Sequence, residues 1–288
     1  MITLIADSGS TKTDWLVIND SGSTKTDWLI GEERIKTQGI NPILQDDDTI
    51  LAILSSLTAQ HSTLNPQHST LNVIRFYGAG VRPEQEERMV RLLKQAFPNA
   101  VNIEAKSDML GAARALCCKE QGLACILGTG ANSCLFDGEH IIQNIPPMGY
   151  ILGDEGSGAV MGRMFLNALY KERLYAGAQQ EFEQFFNLTM ADVIARVYRQ
   201  PMANRWLALL CPYIHEHLSH SSVEEVVVEN FRLFIRHNLV PYHRPHLPIN
   251  AVGSVAFFFK PQLEQAAAAE GYTVGHILRS PLDAAENL

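Results

Sequence analysis

Short apolar runs that end in Gly, Ser and Thr turns alternate along the chain with segments of helical periodicity. Ile2–Ala6 is an apolar run that ends at an acid and a Gly/Ser turn, which is typical of a buried central strand. Val73–Tyr77 and Val101–Glu104 predict further strands, and the apolar spacing of Glu84–Ala96 predicts a helix between them. The first hundred or so residues therefore predict a sheet with helices packed on it.

The same order of elements begins again near residue 123. Leu123–Leu127 predicts a buried strand, "GTGANS" a turn, and Ser133–Phe136 a returning strand, followed by a hairpin turn at the Asp-Gly of 137–138. Helices dominate from about 157 to 240, and a last strand, Ile249–Val252, runs into a glycine. A strand, a Gly/Thr/Ser loop and a hairpin thus occur twice, which predicts an α/β protein with two similar halves.

One stretch of ten residues is present twice: "DSGSTKTDWL" at 7–16 and again at 20–29. In one register Ile2–Ala6 is the buried strand, copy 7–16 is the working loop and copy 20–29 enlarges the next hairpin. In the other, Trp15–Asn19 is the strand and copy 20–29 is the loop. The first register is favoured because the second exposes an apolar tail. Trp28–Gly31 would then lie in a hairpin strand, and the polar segment 58–72, with its own "QHSTLN" duplication, would be a surface loop.

Composition narrows the class of protein. The 288 residues suggest two domains, and a net charge of −8 argues against a general nucleic-acid binder, which needs a basic face. No apolar run approaches the length of a membrane span. The five cysteines form no CxxC pair, so a zinc site is the weaker interpretation and reduced thiols in a cytoplasmic protein the stronger one.

Two loops have the composition of phosphate-binding turns. In Asp7–Thr13 and in Leu127–Ser133, small residues between two strands would let backbone N–H groups approach an anion, and Asp7 is suited to orient Mg²⁺. Neither loop has the Walker A pattern. Each could be a plain hairpin turn, but the presence of two such loops in one chain favours the functional interpretation.

Three further motifs are weaker by themselves. The segment 153–158, "GDEGSG", places adjacent acids among glycines, as in a metal or hydroxyl site, although acids at a helix N-terminus are also favourable without a ligand. Gly253-Ser254-Val255-Ala256 follows a strand and could support a flat base. Asp108 opens a helix that Ser107 can cap, which spacing alone would explain as ordinary helix stabilisation.

The pieces together resemble the sugar kinase and actin-like ATPase superfamily. Within it, the chain is similar to the BadF/BadG/BcrA/BcrD ATPase family, and especially to its N-acetylglucosamine kinase-like members. The resemblance follows nearly the whole chain through "DSGSTKTDW" (7–15), "GINP" (39–42), "FYGAG" (76–80), "DMLGAARAL" (108–116), "CILGTGANSCLFDG" (125–138), "GYILGDEGSGAVMGR" (149–163) and "GSVAF" (253–257).

The resemblance implies two actin-like (ribonuclease H-like) domains flanking an ATP cleft. We expect them at 1–107 and 108–273, with a helical insertion at about 165–245 and the segment 274–288 packing on the first domain. It also implies Mg²⁺ at Asp7, Asp108 as general base, and a homodimer. The phosphate-binding residues would be Gly9, Ser10, Thr11, Lys12, Gly128, Thr129 and Gly130. Adenosine would be bound by Gly253, Ser254 and Ala256, and the sugar by Asn41, Asn132 and Asp154.

These residues predict an ATP-dependent kinase that phosphorylates a sugar, expected to be N-acetylglucosamine at its 6-hydroxyl, with no nucleic-acid or membrane partner. Two alternatives stay open. One is the ATPase activator of a 2-hydroxyacyl-CoA dehydratase, whose dimer shares an iron–sulfur cluster and needs cysteines at the subunit interface. The other is a sensor of the same fold that binds a sugar or nucleotide without catalysis. Such a sensor needs no general base, so the presence of Asp108 argues for the kinase.

Overall fold

The computed structural model describes residues 2–9, 11–19, 32–60, 64 and 71–288. Contacts between Cα atoms divide the chain into two compact units, each with a sheet and its own core. The first unit consists of Met1–Ala115 and Ser280–Leu288, and the second of Leu116–Arg279.

A five-stranded mixed sheet forms the centre of the first unit. Its strands are β1 (Ile2–Ser8), β2 (Lys12–Asn19), β3 (Glu32–Gln38), β4 (Leu71–Gly78) and β5 (Asn102–Ser107). The strand order is β3-β2-β1-β4-β5, in which β1 pairs antiparallel with β2 and parallel with β4. The helices of this unit are α1 (Asp47–Gln60), α2 (Pro83–Ala96) and α3 (Asp108–Cys117), and a 3₁₀ segment, Pro281–Asn287, closes it.

Burial explains why β1 lies in the middle of this sheet. Leu4, Ile5 and Ala6 are each at most 2% exposed, so both faces of the strand are covered there, as its apolar run predicts. Trp15 on β2 packs against Phe76 on β4 with ring centroids 5.9 Å apart. The strand of the favoured register is therefore confirmed, and copy 7–16 spans the end of β1, the turn and part of β2.

Three sequence predictions in this unit have different outcomes. The second copy at 20–29, the predicted strand Trp28–Gly31 and most of the polar segment 58–72 lie outside the described residues. Strand β3 was not predicted, because its sequence, EERIKTQ, is mostly polar. Charged residues are common on an edge strand, where they discourage pairing with another sheet, and β3 is such an edge.

The second unit contains a sheet of the same topology. Its strands are β6 (Gly122–Leu127), β7 (Ala131–Phe136), β8 (Ile141–Ile145), β9 (Ile249–Val252) and β10 (Val274–Leu278), in the order β10-β9-β6-β7-β8. β6 pairs antiparallel with β7 and parallel with β9, as β1 does with β2 and β4. The predicted α/β class with two similar halves is confirmed.

Helices make up most of the remainder of the second unit. They are α4 (Gly149–Leu152), α5 (Gly158–Tyr170), α6 (Ala178–Phe186), α7 (Met190–Tyr198), α8 (Ala203–Ala208), α9 (Cys211–Glu216), α10 (Ser221–Phe234), α11 (Ser254–Phe258) and α12 (Lys260–Ala269). A π-helical turn, Ile235–Leu239, and a 3₁₀ turn, Val240–Tyr242, continue α10. In the described part of the chain, none of the helices is long and apolar enough to cross a bilayer.

The contacts divide the chain at different residues from those the sequence predicts. Most of α3 belongs to the first unit, so the boundary follows Ala115 and not residue 107. The segment 274–288 is also divided: β10 pairs in parallel with β9 in the second unit, and only Ser280–Leu288 belongs to the first. The apolar residues of 274–278 complete a sheet, which a terminal position in the sequence does not reveal.

Candidate functional site

The hairpin between β1 and β2 places Asp7 at the end of a buried strand. Its turn is closed by a hydrogen bond from Gly9 N to the Lys12 carbonyl, at 2.9 Å. Asp14 lies directly opposite Asp7 in the strand register. It forms an ion pair with Lys12, in which Nζ lies 2.5 Å from Oδ2 of Asp14. Thr11 and Lys12 are exposed, whereas Ser10 lies outside the described residues. Sequence analysis missed Asp14, although its place in the repeated "TKTD" is a signal that could have found it.

Two neighbouring carboxylates act on Asp7 in the first unit. Burial, together with the charges of Asp108 and Asp14, raises the pKa of Asp7 to about 7, while Lys12 opposes the shift. Burial also raises the pKa of Asp108 to about 6, against a hydrogen bond from Met109 N to its carboxylate at 2.8 Å. Asp7 and Asp108 are therefore close enough for their charges to interact, as a general base beside a metal-binding acid would require.

Ser8 fixes the loop that carries Asn41. The buried Ser8 hydroxyl accepts from Ile40 N at 3.1 Å, and the Ser8 carbonyl accepts from Ala79 N at 2.7 Å. Gly80, at φ +83°, has no room for a side chain, since a Cβ there would collide with Oδ1 of Asn41. The "GINP" and "FYGAG" motifs therefore meet beside the first hairpin, which places Asn41 next to the turn after β4.

The hairpin between β6 and β7 is held by the start of α5. Gly158 N donates to the Gly128 carbonyl at 2.8 Å, and Ala159 N to the Thr129 carbonyl at 3.2 Å. Gly128 N closes the turn on Gly130 O at 3.0 Å. A Cβ built on Gly128 meets no atom within 4 Å, so this face of the turn is open.

Asp154 contacts the same hairpin. Its carboxylate accepts hydrogen bonds from the N–H groups of Ala131 and Gly149, and a Cβ on Gly130 would lie 3.2 Å from its Oδ2. Burial raises the pKa of Asp154 to about 6 in spite of those hydrogen bonds. The residue has φ +53°, in the left-handed region that aspartate adopts more readily than most other residues with a side chain. Asp154 is thus held against the second hairpin by the backbone hydrogen bonds to its carboxylate.

The amide of Asn132 is oriented by a neighbour that sequence analysis missed. Oδ1 of Asn132 accepts from Ser133 N at 2.9 Å and from Nδ2 of Asn144, on β8, at 2.8 Å. Both bonds use the oxygen, so the Asn132 side-chain nitrogen is left as the group that can donate a hydrogen bond to a ligand. No sequence motif marks Asn144, because only the pairing of β7 with β8 places it there.

Gly253 places the predicted adenosine turn against the second hairpin. It has φ +122°, and a Cβ there would collide with the Leu127 carbonyl oxygen. Its N–H donates to the Leu278 carbonyl at 3.0 Å. Ser254 is exposed and Ala256 buried at the start of α11. Since β6, β9 and β10 are parallel, their carboxyl ends lie at one edge of the sheet, where α/β proteins bind ligands.

The second unit therefore brings together the hairpin at 128–131, the acidic loop at 153–158 and the turn at 253–256, and the first unit brings together Asp7, Lys12 and Asp108. Two sheets of equal strand order, each with such a hairpin, define the actin-like class of fold.

Comparison with solved structures agrees with this class. A protein from Porphyromonas gingivalis described as a "putative N-acetylglucosamine kinase" is 42% identical, with a TM-score of 0.90, over 98% of this chain and 96% of its own. The chain therefore belongs to the N-acetylglucosamine kinase-like family. No family model and no curated protein sequence matches the chain.

More distant structures share the fold alone. A "putative N-acetylglucosamine kinase" from Chromobacterium violaceum is 16% identical with a TM-score of 0.69, over 99% of this chain and 97% of that one. A ROK family glucokinase from Streptomyces griseus, solved with glucose and AMPPNP, is 12% identical with a TM-score of 0.56, over 100% and 97% of the two chains.

Proposed function

We propose that the protein is an ATP-dependent kinase that phosphorylates N-acetylglucosamine at its 6-hydroxyl. The observation that carries the proposal is the placement of Asp7 and Asp108 at one edge of the first sheet: Asp7 pairs with Tyr77 on β4, and β5, which pairs with β4 at Gly78 and Ser107, ends directly before Asp108. The 42% identity to a protein described as an N-acetylglucosamine kinase supports the choice of acceptor.

Asp108 has the properties of a general base. Its pKa of about 6 leaves it mostly ionised at neutral pH yet basic enough to accept a proton in the transition state. Asp108 would take the proton of the sugar hydroxyl while that oxygen attacks the γ-phosphorus in line. The new O–P bond forms as the bond to the β–γ bridging oxygen breaks, and ADP leaves.

Asp7 is the residue that would hold Mg²⁺. The raised pKa shows that its carboxylate lies among other negative charges in a buried place, and a divalent cation would offset this. Within the described ranges there is no group of three His, Cys, Asp or Glu side chains suited to a metal. This fits Mg²⁺, which is commonly held by one or two carboxylates, waters and substrate phosphates. When bound, the ion would neutralise charge on the transferred phosphoryl group.

The two hairpins would hold the phosphates of ATP. Gly9 and Lys12 belong to the first hairpin, and the exposed ammonium of Lys12 can reach an anion. Thr11 and Ser10 belong to the same turn in the sequence. Gly128, Thr129 and Gly130 form the second, whose open face at Gly128 leaves room for a phosphate oxygen. Gly253, Ser254 and Ala256 would contact adenosine.

Sugar recognition in this proposal rests on three polar groups. The Asn132 amide nitrogen and the Asp154 carboxylate lie on the second unit, and Asn41 lies on the first. An amide donor and a carboxylate acceptor are the groups that sugar hydroxyls and an acetamide require. The proposal includes a homodimer in the cytoplasm.

The cysteines favour the kinase over a dehydratase activator. Burial raises the pKa of Cys134 to about 12 and that of Cys125 well above its ordinary value, so both stay as thiols. An iron–sulfur cluster needs thiolates that are accessible at the protomer interface. A sensor without catalysis needs no general base, so the presence of Asp108 favours the kinase.

An ATP-consumption assay over a panel of hexoses and N-acetylated hexosamines tests the proposal. We expect the highest kcat/KM with N-acetylglucosamine, and phosphorus NMR of the product should show a phosphate at the 6-position. Sugar-independent ATP hydrolysis by a coloured protein would support the activator instead. Binding of sugar without ATP consumption would support the sensor.

A further inference from the structure

Helix α10 contacts the acidic loop of the second unit, residues 153–158, through two of its side chains. Asn230 on α10 is buried; its Oδ1 accepts from Gly156 N at 3.0 Å and its Nδ2 donates to the Ser157 carbonyl at 3.2 Å. A Cβ at Gly156 would also come within 2.9 Å of Phe234 at the end of α10. The loop therefore follows the surface of this helix closely.

The π-helical turn after α10 extends this support to Glu155. His237 Nδ1 lies 2.9 Å from Oε1 of Glu155, and Asn238 Nδ2 donates to Oε2 at 3.3 Å. Consecutive residues of a regular helix point about 100° apart, so two neighbours rarely reach one carboxylate. A wider π-turn changes this geometry, and such turns are frequent at functional sites.

The same segment also supports the second hairpin. The Asn238 carbonyl accepts from the Ser133 hydroxyl at 3.4 Å, and that hydroxyl lies 2.9 Å from the Tyr242 hydroxyl. Tyr242 in turn accepts from Ile145 N at 3.0 Å. Residues 230–242 thus hold both the acidic loop and the strands next to Asn132.

We propose that His237 and Asn238 are positioning residues for sugar binding, which through Glu155 hold the left-handed Asp154 against the second hairpin. The inference rests on the proposed function, because Asp154 is a sugar-binding residue only there. The Glu155 carboxylate is held by two side chains of the π-helical turn, and Glu155 directly follows Asp154 in the chain, so these contacts limit the movement of the Asp154 backbone.

His237 is the residue to test, because its side chain is 55% exposed and its loss should not unfold the protein. His237→Leu removes the donor, whereas His237→Asn keeps a nitrogen at the same δ position. His246→Leu is the matched control, since His246 is an exposed histidine of the same unit. Sugar KM, ATP KM and kcat are measured for all four proteins, with hydrogen exchange of the loop amides in the absence of ligands.

We expect His237→Leu to raise the sugar KM about tenfold, with kcat and ATP KM within about twofold, because one hydrogen bond to a charged group is lost. Exchange at the Gly156 and Ser157 amides should become about tenfold faster. His237→Asn should recover most of both effects, and His246→Leu should behave as wild type.

Unchanged amide exchange in His237→Leu would overturn the proposal, as would a defect in His237→Asn equal to that of the leucine variant. Faster exchange with an unchanged sugar KM would overturn the link to sugar binding. If the wild-type protein phosphorylates no sugar, the kinase proposal fails, and the exchange data still decide whether His237 fixes the loop.

Discussion

The hairpin between β1 and β2 and the hairpin between β6 and β7 occupy the same place in two sheets of equal strand order, yet different forces define them. The first is dominated by charge, with Asp7 facing Asp14 and within the influence of Asp108. The second has no charged residue between Gly128 and Ala131, and its carbonyls are held by the N–H groups of α5.

This difference separates two tasks that one fold can combine. A hairpin with ionisable groups can bind a cation and move a proton, but its like charges oppose one another and cost stability. A hairpin fixed by backbone hydrogen bonds can present N–H groups to an anion without any titrating group. We therefore expect substitutions of the acids at the first hairpin to affect chemistry, and substitutions of the glycines of either hairpin to affect ATP binding.

The largest effect is expected for Asp108→Asn. The amide cannot accept the hydroxyl proton, so kcat should fall by about 10²–10⁴-fold, the usual contribution of a general base. ATP affinity, measured by calorimetry, should stay within about threefold of wild type, because Asp108 does not contact the nucleotide in this proposal. Near-normal turnover would mean that another residue is the general base, and that Asp108 gives the first unit no role in proton transfer.

Asp7→Ala should abolish Mg²⁺-dependent ATP use, with a loss of at least about 100-fold in kcat/KM, since the carboxylate that would hold the cation is gone. Asp20→Ala, at the equivalent place in the second copy of the repeat, is the matched control and should keep wild-type activity. The reverse result would move the site to the second copy. Initial rates at several Mg²⁺ concentrations measure both.

Gly9→Ala and Gly128→Ala compare the two hairpins directly. A Cβ at Gly9 would lie 3.7 Å from the Lys12 carbonyl, an ordinary contact, and one at Gly128 meets nothing, so both variants should fold. Each methyl group would occupy space next to a phosphate, and we expect the ATP KM to rise about tenfold in each.

The melting temperatures of these two variants serve as the control and should stay close to that of wild type. If the Gly128→Ala variant has an unchanged ATP KM, the second hairpin is a structural turn and does not bind phosphate.

The smallest effect is the pH dependence of turnover. Asp108 must be ionised to accept a proton, and its pKa is about 6, so kcat should fall as the pH drops through 6. About tenfold is expected between pH 7 and pH 5 from the ionised fraction. The residual activity of Asp108→Asn should lack this dependence; a wild-type profile that is flat down to pH 5 would contradict the assignment.

Protein stability should show the opposite trend. Because the folded-state pKa of Asp108 is raised, its contribution to stability is present at low pH and is lost as the pH rises through about 6. Asp108→Asn should therefore be more stable than wild type at pH 8, by roughly 1–3 kcal/mol, and less so at pH 5. Urea unfolding at the two pH values measures the difference.

Much of the fold could be predicted because it depends on local patterns. The apolar runs at Ile2–Ala6 and Leu123–Leu127 form the central strands β1 and β6, and the Ser107 hydroxyl caps α3 by accepting a hydrogen bond from Leu110 N at 3.2 Å. The polar edge strand β3 and the terminal strand β10 escaped prediction, since partners distant in sequence define them.

The candidate site follows the same division. The glycines of the two hairpins and the acids at 7, 108 and 154 could be recognised from motifs, because each depends on residues adjacent in the chain. Asp14 was missed although it belongs to the repeated motif and could have been recognised there. Asn144 and the pair His237 and Asn238 could not be recognised, since their importance comes from contacts across strands or between a helix and a distant loop.

The sequence by itself determined the central strands, the two loops of small residues and the acids at 7, 108 and 154, because hydrophobic periodicity and turn chemistry are local properties. Only the tertiary structure decided which of these groups are charged, strained or held in place. Burial and neighbouring charge raise the pKa of Asp7 to about 7, and contacts from residues 230–242 fix the loop of Asp154. Both effects depend on groups far apart in the chain, and folding alone brings them together.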